Sequence, residues 1–133
     1  MANLIALLSS GKGTWGQVNS LLKVEKWDHI YLLCNNYAYE NFECDPQTVT
    51  KLILDENKIV ESMNKLGKFF RTQIKDIDIA LNLSSGTGME HMAVVSAVLK
   101  AGLGIKFVYA DYDELKEFNI LDLPYNEDDE DEF

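Results

Sequence analysis

Short apolar runs alternate along this chain with stretches in which apolar residues recur at helical spacing. The apolar runs predict strands at residues 3–8, 29–34, 48–54, 78–83 and 105–110, with a short edge strand within 115–123. The helical spacing predicts helices at residues 15–26, 57–74 and 89–100. The sequence of residues 37–46 predicts irregular structure, with one helical turn around residues 39–42 as the alternative. Because strands alternate with helices, the expected fold is α/β, a Rossmann-like three-layer sandwich with a mainly parallel central sheet.

The first and fourth predicted strands end in the same tripeptide, Ser-Ser-Gly. The two copies are Ser9-Ser10-Gly11 and Ser84-Ser85-Gly86. Each is followed by a capping-box pattern for a helix N-terminus, Thr14 to Gln17 and Thr87 to Glu90. Such a strand, loop and helix unit directs backbone N–H groups and the positive end of a helix dipole at one place. Since the carboxyl ends of parallel strands share one edge of a sheet, the two loops predict one divided anion-binding site.

The predicted anion-binding residues are those of the two loops that offer a hydroxyl or a backbone N–H group. They are Ser9, Ser10, Gly11, Gly13, Ser84, Ser85, Gly86, Thr87 and Gly88. Lys12 and His91 are the candidates for catalysis, because an ammonium supplies positive charge and an imidazole can donate a proton. Both also have simpler interpretations, as a solvated loop lysine and as a surface histidine on a helix.

Neighbouring residues leave further alternatives open. Thr14 and Thr87 fit N-caps as well as ligand contacts. Trp15 and Tyr37 fit either adenine stacking or a core or interface position. The segment from Ser10 to Thr14 departs from the phosphate-binding P-loop GxxxxGK[ST], because a glycine stands between its lysine and its threonine. No metal-ligand spacing is visible, so neither a metal nor another cofactor is expected.

Composition and charge narrow the classes of protein. A chain of 133 residues that is 47% hydrophobic fits one domain, which we place at residues 1–125. Residues 126–133 carry six of the 22 acidic residues and predict a disordered acidic tail. A solvating tail is the favoured interpretation, and a partner-docking segment stays open as the alternative. The remainder is still acidic, so binding to duplex nucleic acid is not expected. With no apolar run near ~20 residues and no basic leader, we expect no membrane contact and a cytoplasmic location.

The predicted helix at residues 89–100 is apolar nearly all round. Its apolar residues include Val95 and Val98, which we assign to a subunit interface. A helix of this kind must be covered on more than one face, and in a short chain the second cover can be another copy. We therefore expect a homodimer.

The two loops resemble those of a known family, the CRISPR-associated Rossmann-fold (CARF) domains, which sense cyclic oligoadenylates as homodimers. The resemblance lies in Asn82-Leu83-Ser84-Ser85-Gly86-Thr87-Gly88-Met89, in Ser9-Ser10-Gly11-Lys12 and in the order of strands over residues 1–110. It implies a small stand-alone member of the CRISPR antiviral response, with a cyclic oligoadenylate bound across the dimer axis. The family's usual basic residue is replaced by Gly88, so Lys12 would supply the positive charge.

The resemblance also implies a possible enzyme activity, a metal-independent ring nuclease. In that reaction a ribose 2′-hydroxyl attacks the adjacent phosphate of the ring. Two other classes remain open on the residues alone. One is an α/β protein that binds another nucleotide or a small anion, and the other is an interaction or adaptor module in which the Ser-Ser-Gly loops are tight turns.

Overall fold

A computed structural model describes residues 2–9 and 12–118 of the chain. Its strands are β1 (Asn3–Leu8), β2 (His29–Cys34), β3 (Val49–Ile53), β4 (Asp78–Asn82), β5 (Gly104–Asp111) and β6 (Glu114–Phe118). Its helices are α1 (Lys12–Val24), α2 (Asn36–Asn41), α3 (Ile59–Gln73) and α4 (Gly88–Lys100), with a 3₁₀ turn at Glu56–Lys58 before α3. None of the described helices has the length and apolar character needed to cross a membrane.

The six strands form one mostly parallel sheet. The strand order is β3-β2-β1-β4-β5-β6, in which the first five strands are parallel and β6 runs antiparallel to β5. The predicted α/β class and mainly parallel sheet are therefore confirmed. Sequence order reverses between β1 and β4, since the chain builds β1, β2 and β3 outward on one side before it returns to β4 on the other. Ligands of open α/β sheets bind at such a switch point, beyond the carboxyl ends of the strands.

The central strand β1 is buried on both of its faces. Leu4, Ala6 and Leu8 lie in one core cluster, together with residues of α1 and α2. Ile5 and Leu7 lie in a second cluster, together with residues of α3 and α4. All five side chains are fully buried, and burial of a leucine or isoleucine contributes about 1.5–3 kcal/mol to stability. This packing holds the carboxyl end of β1 on a rigid base.

α4 contributes to the second core cluster along only one of its faces. Val94 and Val98 are fully buried, whereas Met89, Met92 and Leu99 are more than half exposed. The assignment of Val98 to a subunit interface is therefore wrong, because this side chain already packs in the core of its own chain. Val95 is half-buried beside the exposed residues. We call Met89, Met92, Val95 and Leu99 the α4 stripe.

α2 occupies the first half of the segment predicted to be irregular, residues 37–46, and it is longer than the single helical turn expected there. The Asn35 side chain caps this helix by accepting a hydrogen bond from the Ala38 N–H group at 2.8 Å. Near its other end, Lys51 Nζ of β3 donates to the carbonyl oxygens of Tyr39 and Phe42 at 2.7 and 2.9 Å. The helix thus depends partly on a strand that follows it in the chain.

α1 begins earlier than predicted, at Lys12 rather than residue 15. Thr14 therefore lies inside the first turn, and the capping box predicted from Thr14 to Gln17 is wrong. Gly13 and Gly16 lower helix propensity in this segment, but Val18 and Leu21 are fully buried against the sheet and favour the helix.

The two cysteines are free thiols. Cys34 is buried at the end of β2, and burial raises the pKa of its thiol to about 12. At neutral pH this group is therefore protonated and unreactive, which fits a structural role.

The C-terminal predictions are only partly covered by the described residues. β6 agrees with the start of the edge strand expected within residues 115–123. The remainder of that segment, the domain end at residue 125 and the acidic tail at 126–133 lie outside the described residues.

Candidate functional site

Both Ser-Ser-Gly loops lie at one edge of the sheet, at the carboxyl ends of neighbouring strands. The first follows β1 and leads into α1, and the second follows β4 and leads into α4. β1 and β4 pair directly, with Ala6 opposite Asn82 near their ends. Ser10 and Gly11 lie outside the described residues, as do the side chain of Lys12 and the exposure of Gly13. Ser9 and Thr14 flank this part of the chain.

Hydrogen bonds that involve side chains join the first loop and the start of α1 to the second loop. The Ser85 hydroxyl oxygen accepts from the Ser9 N–H group at 3.1 Å, and it lies 2.9 Å from the Thr14 hydroxyl oxygen. The Ser9 hydroxyl donates to Glu90 Oε1 at 3.0 Å. These contacts link residues more than 70 positions apart in the chain. They make the two loops a single polar unit, which we call the inter-loop network.

Glu90 is the buried centre of this network. Its side chain is 2% exposed, and its Oε1 atom accepts from the Thr87 N–H group at 2.8 Å as well as from Ser9. The Thr87 hydroxyl in turn accepts from the Glu90 N–H group at 3.2 Å, which completes the capping box predicted for α4. The carboxylate lies at the positive end of the α4 dipole, where negative charge is stabilised. The Glu90 carboxylate therefore already offsets part of the positive potential that an anionic ligand would meet at this helix end.

The second loop owes its shape to Asn82 and Gly86. Asn82 Nδ2 donates to the Val108 carbonyl oxygen of β5 at 2.8 Å and to the Ser84 hydroxyl at 2.9 Å, while its Oδ1 accepts from the Ser84 N–H group at 3.2 Å. Gly86 has φ 101°, a conformation that side chains with a Cβ rarely adopt. A Cβ at this position would stand 2.9 Å from Leu7 Cδ2. Glycine is therefore required here by both the backbone and the space.

His91 lies on the first turn of α4 with its ring against the second loop. Its Nε2 atom is 2.9 Å from the Ser85 carbonyl oxygen. Because a carbonyl oxygen only accepts hydrogen bonds, Nε2 carries the proton in this contact. The nitrogen that remains for a ligand is Nδ1. The half-buried ring thus braces the loop and leaves one nitrogen for proton transfer.

The predicted site residues differ in how far a ligand can reach them. Ser9 and Ser85 are 5% and 1% exposed, and their hydroxyls are engaged in the inter-loop network. Ser84, Thr87 and Gly88 are exposed, and Gly86 is partly exposed. The exposed and partly exposed residues of the second loop can therefore contact a ligand directly, while Ser9 and Ser85 hold the shape of the loops from the protein interior.

Trp15 and Tyr37 form an aromatic cluster with Phe42 near the carboxyl end of β2. The Trp15 ring centroid lies 5.7 Å from that of Tyr37 and 5.8 Å from that of Phe42. Tyr37 is half exposed, whereas Trp15 packs against the first core cluster. Of the two candidates for adenine stacking, Tyr37 is thus the more accessible.

Sequence patterns do not reveal the inter-loop network. The Thr87 capping box is local and readable, but the bond from Ser9 to Glu90 joins residues 81 positions apart. The repeated Ser-Ser-Gly tripeptide predicts only that the loops are neighbours. The role of Asn82 is likewise not visible in the sequence, because its hydrogen bond to the Val108 carbonyl oxygen depends on the pairing of β4 with β5.

No protein-family model matches this chain, and no curated protein matches its sequence. Within the described residues, no group of three or more His, Cys, Asp or Glu side chains is placed to hold a metal ion. The evidence for the function is therefore the geometry and chemistry of the site itself.

Replacing Glu90 should separate the two loops. Glu90→Ala leaves the buried Ser9 hydroxyl and the partly buried Thr87 N–H group without their acceptor, so we expect the free energy of unfolding to fall by about 2–4 kcal/mol. Glu90→Gln retains an acceptor oxygen and should cost less than half as much. Urea denaturation followed by circular dichroism measures both values.

The control for this change is Glu61→Ala, which removes an exposed carboxylate paired with Lys65 on α3. An exposed pair of this kind contributes about 0.3–0.5 kcal/mol. Equal losses for Glu90→Ala and Glu61→Ala would show that the inter-loop network does not stabilise the fold.

Proposed function

We propose that this chain is a CARF-like protein of the CRISPR antiviral response that binds a cyclic oligoadenylate at the two Ser-Ser-Gly loops. The proposal includes a Rossmann-like three-layer sandwich and a cytoplasmic location. One observation carries it: two loops of small polar residues end the neighbouring strands β1 and β4 at the switch point of the sheet and are hydrogen-bonded to each other. A nucleotide-like anion is the ligand that this arrangement suits.

The second loop supplies the phosphate contacts in this proposal. Gly88 and Met89 are the first two residues of α4, so their N–H groups point out of the helix end. The hydroxyls of Ser84 and Thr87 lie beside them on the surface. Ser9, Ser85 and Glu90 hold the loops in position, and Lys12 adds positive charge from the first turn of α1. Ser10 and Gly11 complete the first loop, and Gly13 follows Lys12 in α1.

A homodimer supplies the second half of the proposed site. The α4 stripe places apolar side chains at positions 89, 92, 95 and 99, a spacing that lines one side of a helix. Contact between two such stripes around a two-fold axis would bury them. Because α4 begins at the second loop, this contact would bring two copies of that loop to the same ring-shaped ligand.

Ring cleavage is the enzymatic form of the proposal. The ribose 2′-hydroxyl gives its proton to water as its oxygen attacks the adjacent phosphorus, the bond from phosphorus to the 5′-oxygen breaks, and a 2′,3′-cyclic phosphate remains. The protein would hold the 2′-hydroxyl in line and stabilise phosphate charge through Lys12. His91, with a proton on both ring nitrogens, would protonate the leaving 5′-oxygen from Nδ1. No protein nucleophile is needed.

A second function is favoured by the charge of the site. The Glu90 carboxylate at the start of α4 repels a multiply charged anionic ligand. The hydroxyls of Ser9 and Ser85 already form hydrogen bonds within the inter-loop network. A mononucleotide or other small anion needs fewer contacts from such a site. An adaptor module would bind no ligand at these loops.

Calorimetry with cyclic tri-, tetra- and hexa-adenylate tests the proposal, with adenosine monophosphate as the competing ligand. We expect one ring to bind a dimer at micromolar affinity or better, and chromatography of the same samples reports cleavage. His91→Gln should retain binding, since its amide can still donate to Ser85, and should lose any cleavage. Binding of adenosine monophosphate alone would favour the second function, and no binding of any of the four would favour the adaptor.

A further inference from the structure

A groove between α3 and α4 is lined mainly by basic and polar side chains. Its residues are Asn64, Gly67, Lys68 and Arg71 of α3 and Lys100 of α4, and its volume is about 400 Å³. The two helices pack closely here, since a Cβ at Gly67 would stand at van der Waals distance, 3.5 Å, from the Ala97 carbonyl oxygen. We call this surface the α3–α4 groove. It lies near the C-terminal ends of both helices, and the candidate site lies at the opposite end of α4.

The positive charge of the groove contrasts with the acidic chain. Residues 58–75 contain five basic residues and one acidic residue, in a chain whose net charge is −10. The acidic residue, Glu61, is paired with Lys65 at 3.1 Å and does not line the groove. No carboxylate is among the residues that line it. The groove is therefore suited to an anionic occupant.

Hydrogen bonds hold two of the three cationic side chains in place. Arg71 Nη2 donates to the Lys100 carbonyl oxygen at 3.1 Å, and Lys100 Nζ donates to Asn64 Oδ1 at 3.3 Å. Each group has further N–H donors beyond the one it uses here. Lys68 is exposed beside them. Three cations can thus face one anionic partner together.

The sequence of this chain supplies an occupant of opposite charge. Residues 127–132 are six consecutive acidic residues. β6 pairs antiparallel with β5, with Phe118 opposite Phe107, so β6 runs toward the edge of the sheet where β5 begins. α4 ends at that same edge, because only residues 101–103 separate it from β5. The eight residues from 119 to 126 can span up to about 26–29 Å when extended.

We propose that the acidic segment at residues 127–132 docks in cis on the α3–α4 groove. Each exposed ion pair is weak alone, but six carboxylates tethered near three cations bind at a high effective concentration. The composition alone favours a solvated segment, and the groove gives that segment a binding surface. Docking would cover the cationic surface of the protein and leave the Ser-Ser-Gly loops open.

Zero-length carbodiimide crosslinking of the full chain tests this proposal. The reagent joins carboxylates to amines in direct contact, and mass spectrometry identifies the joined peptides. At about 20 mM salt we expect crosslinks from residues 127–132 to Lys68 and Lys100, reduced at least tenfold at about 500 mM salt by screening. In an equal mixture of heavy- and light-isotope protein, the crosslinks should join peptides of the same isotope. Crosslinks that mix isotopes, or that favour Lys23 of α1 and Lys26 just after it, would overturn docking in cis.

A titration with a synthetic peptide of residues 126–133 gives an independent test. The peptide should bind a chain truncated after Tyr125 and should bind the full chain at least fivefold more weakly, because the tethered segment competes. Lys68→Glu with Lys100→Glu in the truncated chain should lower the affinity at least tenfold. The matched control, Lys23→Glu with Lys26→Glu, changes the net charge equally and should lower it less than threefold. Equal effects of the two pairs, or no binding to the truncated chain, would overturn the proposal.

Discussion

Val98→Glu should unfold this protein, whereas Val95→Glu, one turn away on the same helix, should leave it folded. Val98 is fully buried in the second core cluster, so a glutamate there would place an unpaired charge among apolar side chains. We expect a loss of about 3–5 kcal/mol, a large part of the stability of a domain of this size. Val95 is only half-buried on the α4 stripe, and a glutamate there can reach water.

Circular dichroism and thermal denaturation measure the first effect, and sedimentation measures the second. Wild-type protein should sediment at about twice the mass of one chain, and Val95→Glu should sediment as a folded monomer. Val95→Thr, similar in shape and uncharged, is the control and should remain dimeric. A wild-type monomer at tens of micromolar would exclude the shared site of the proposed function. A folded Val98→Glu variant would show that α4 does not pack as described.

The sheet could be predicted from the sequence because its strands are continuous apolar runs. β1 and β2 have the predicted bounds, since a strand buried on both faces has an apolar side chain at nearly every position. α3 was also readable, from its apolar residues at helical spacing. α2 was not, because Lys51 reaches its carbonyl groups from a strand later in the chain.

Only those features of the candidate site that depend on residues close together in the sequence could be predicted. The capping box at Thr87 is complete within four residues, so the sequence pattern identified it. The same pattern failed at Thr14, where the helix begins at Lys12 and the threonine hydroxyl contacts Ser85 instead. Glu90 shows both cases, since its capping role is local but its bond to Ser9 depends on the pairing of β1 with β4. Contacts of that range arise only when the sheet is formed.

Gly86→Val should damage the second loop far more than Gly88→Val. At Gly86 the backbone has φ 101°, and the added Cβ would stand 2.9 Å from Leu7 Cδ2 in the core. Backbone strain of about 1–3 kcal/mol and overpacking of a similar size should together lower the free energy of unfolding by about 3–5 kcal/mol. A Cβ at Gly88 meets no atom within 4 Å, so Gly88→Val should cost less than about 1 kcal/mol.

Gly86→Val and Lys12→Ala together separate loop shape from side-chain charge in ligand binding. If the proposed ring is held by backbone N–H groups, Gly86→Val should abolish its binding at temperatures where the variant is still folded. Lys12→Ala should weaken binding only about fivefold, about 1 kcal/mol, and mainly at low salt. If Lys12→Ala instead removes cleavage and leaves binding intact, the lysine acts on the transition state. Small and equal losses from both variants, in a folded dimer, would place the ligand away from both loops.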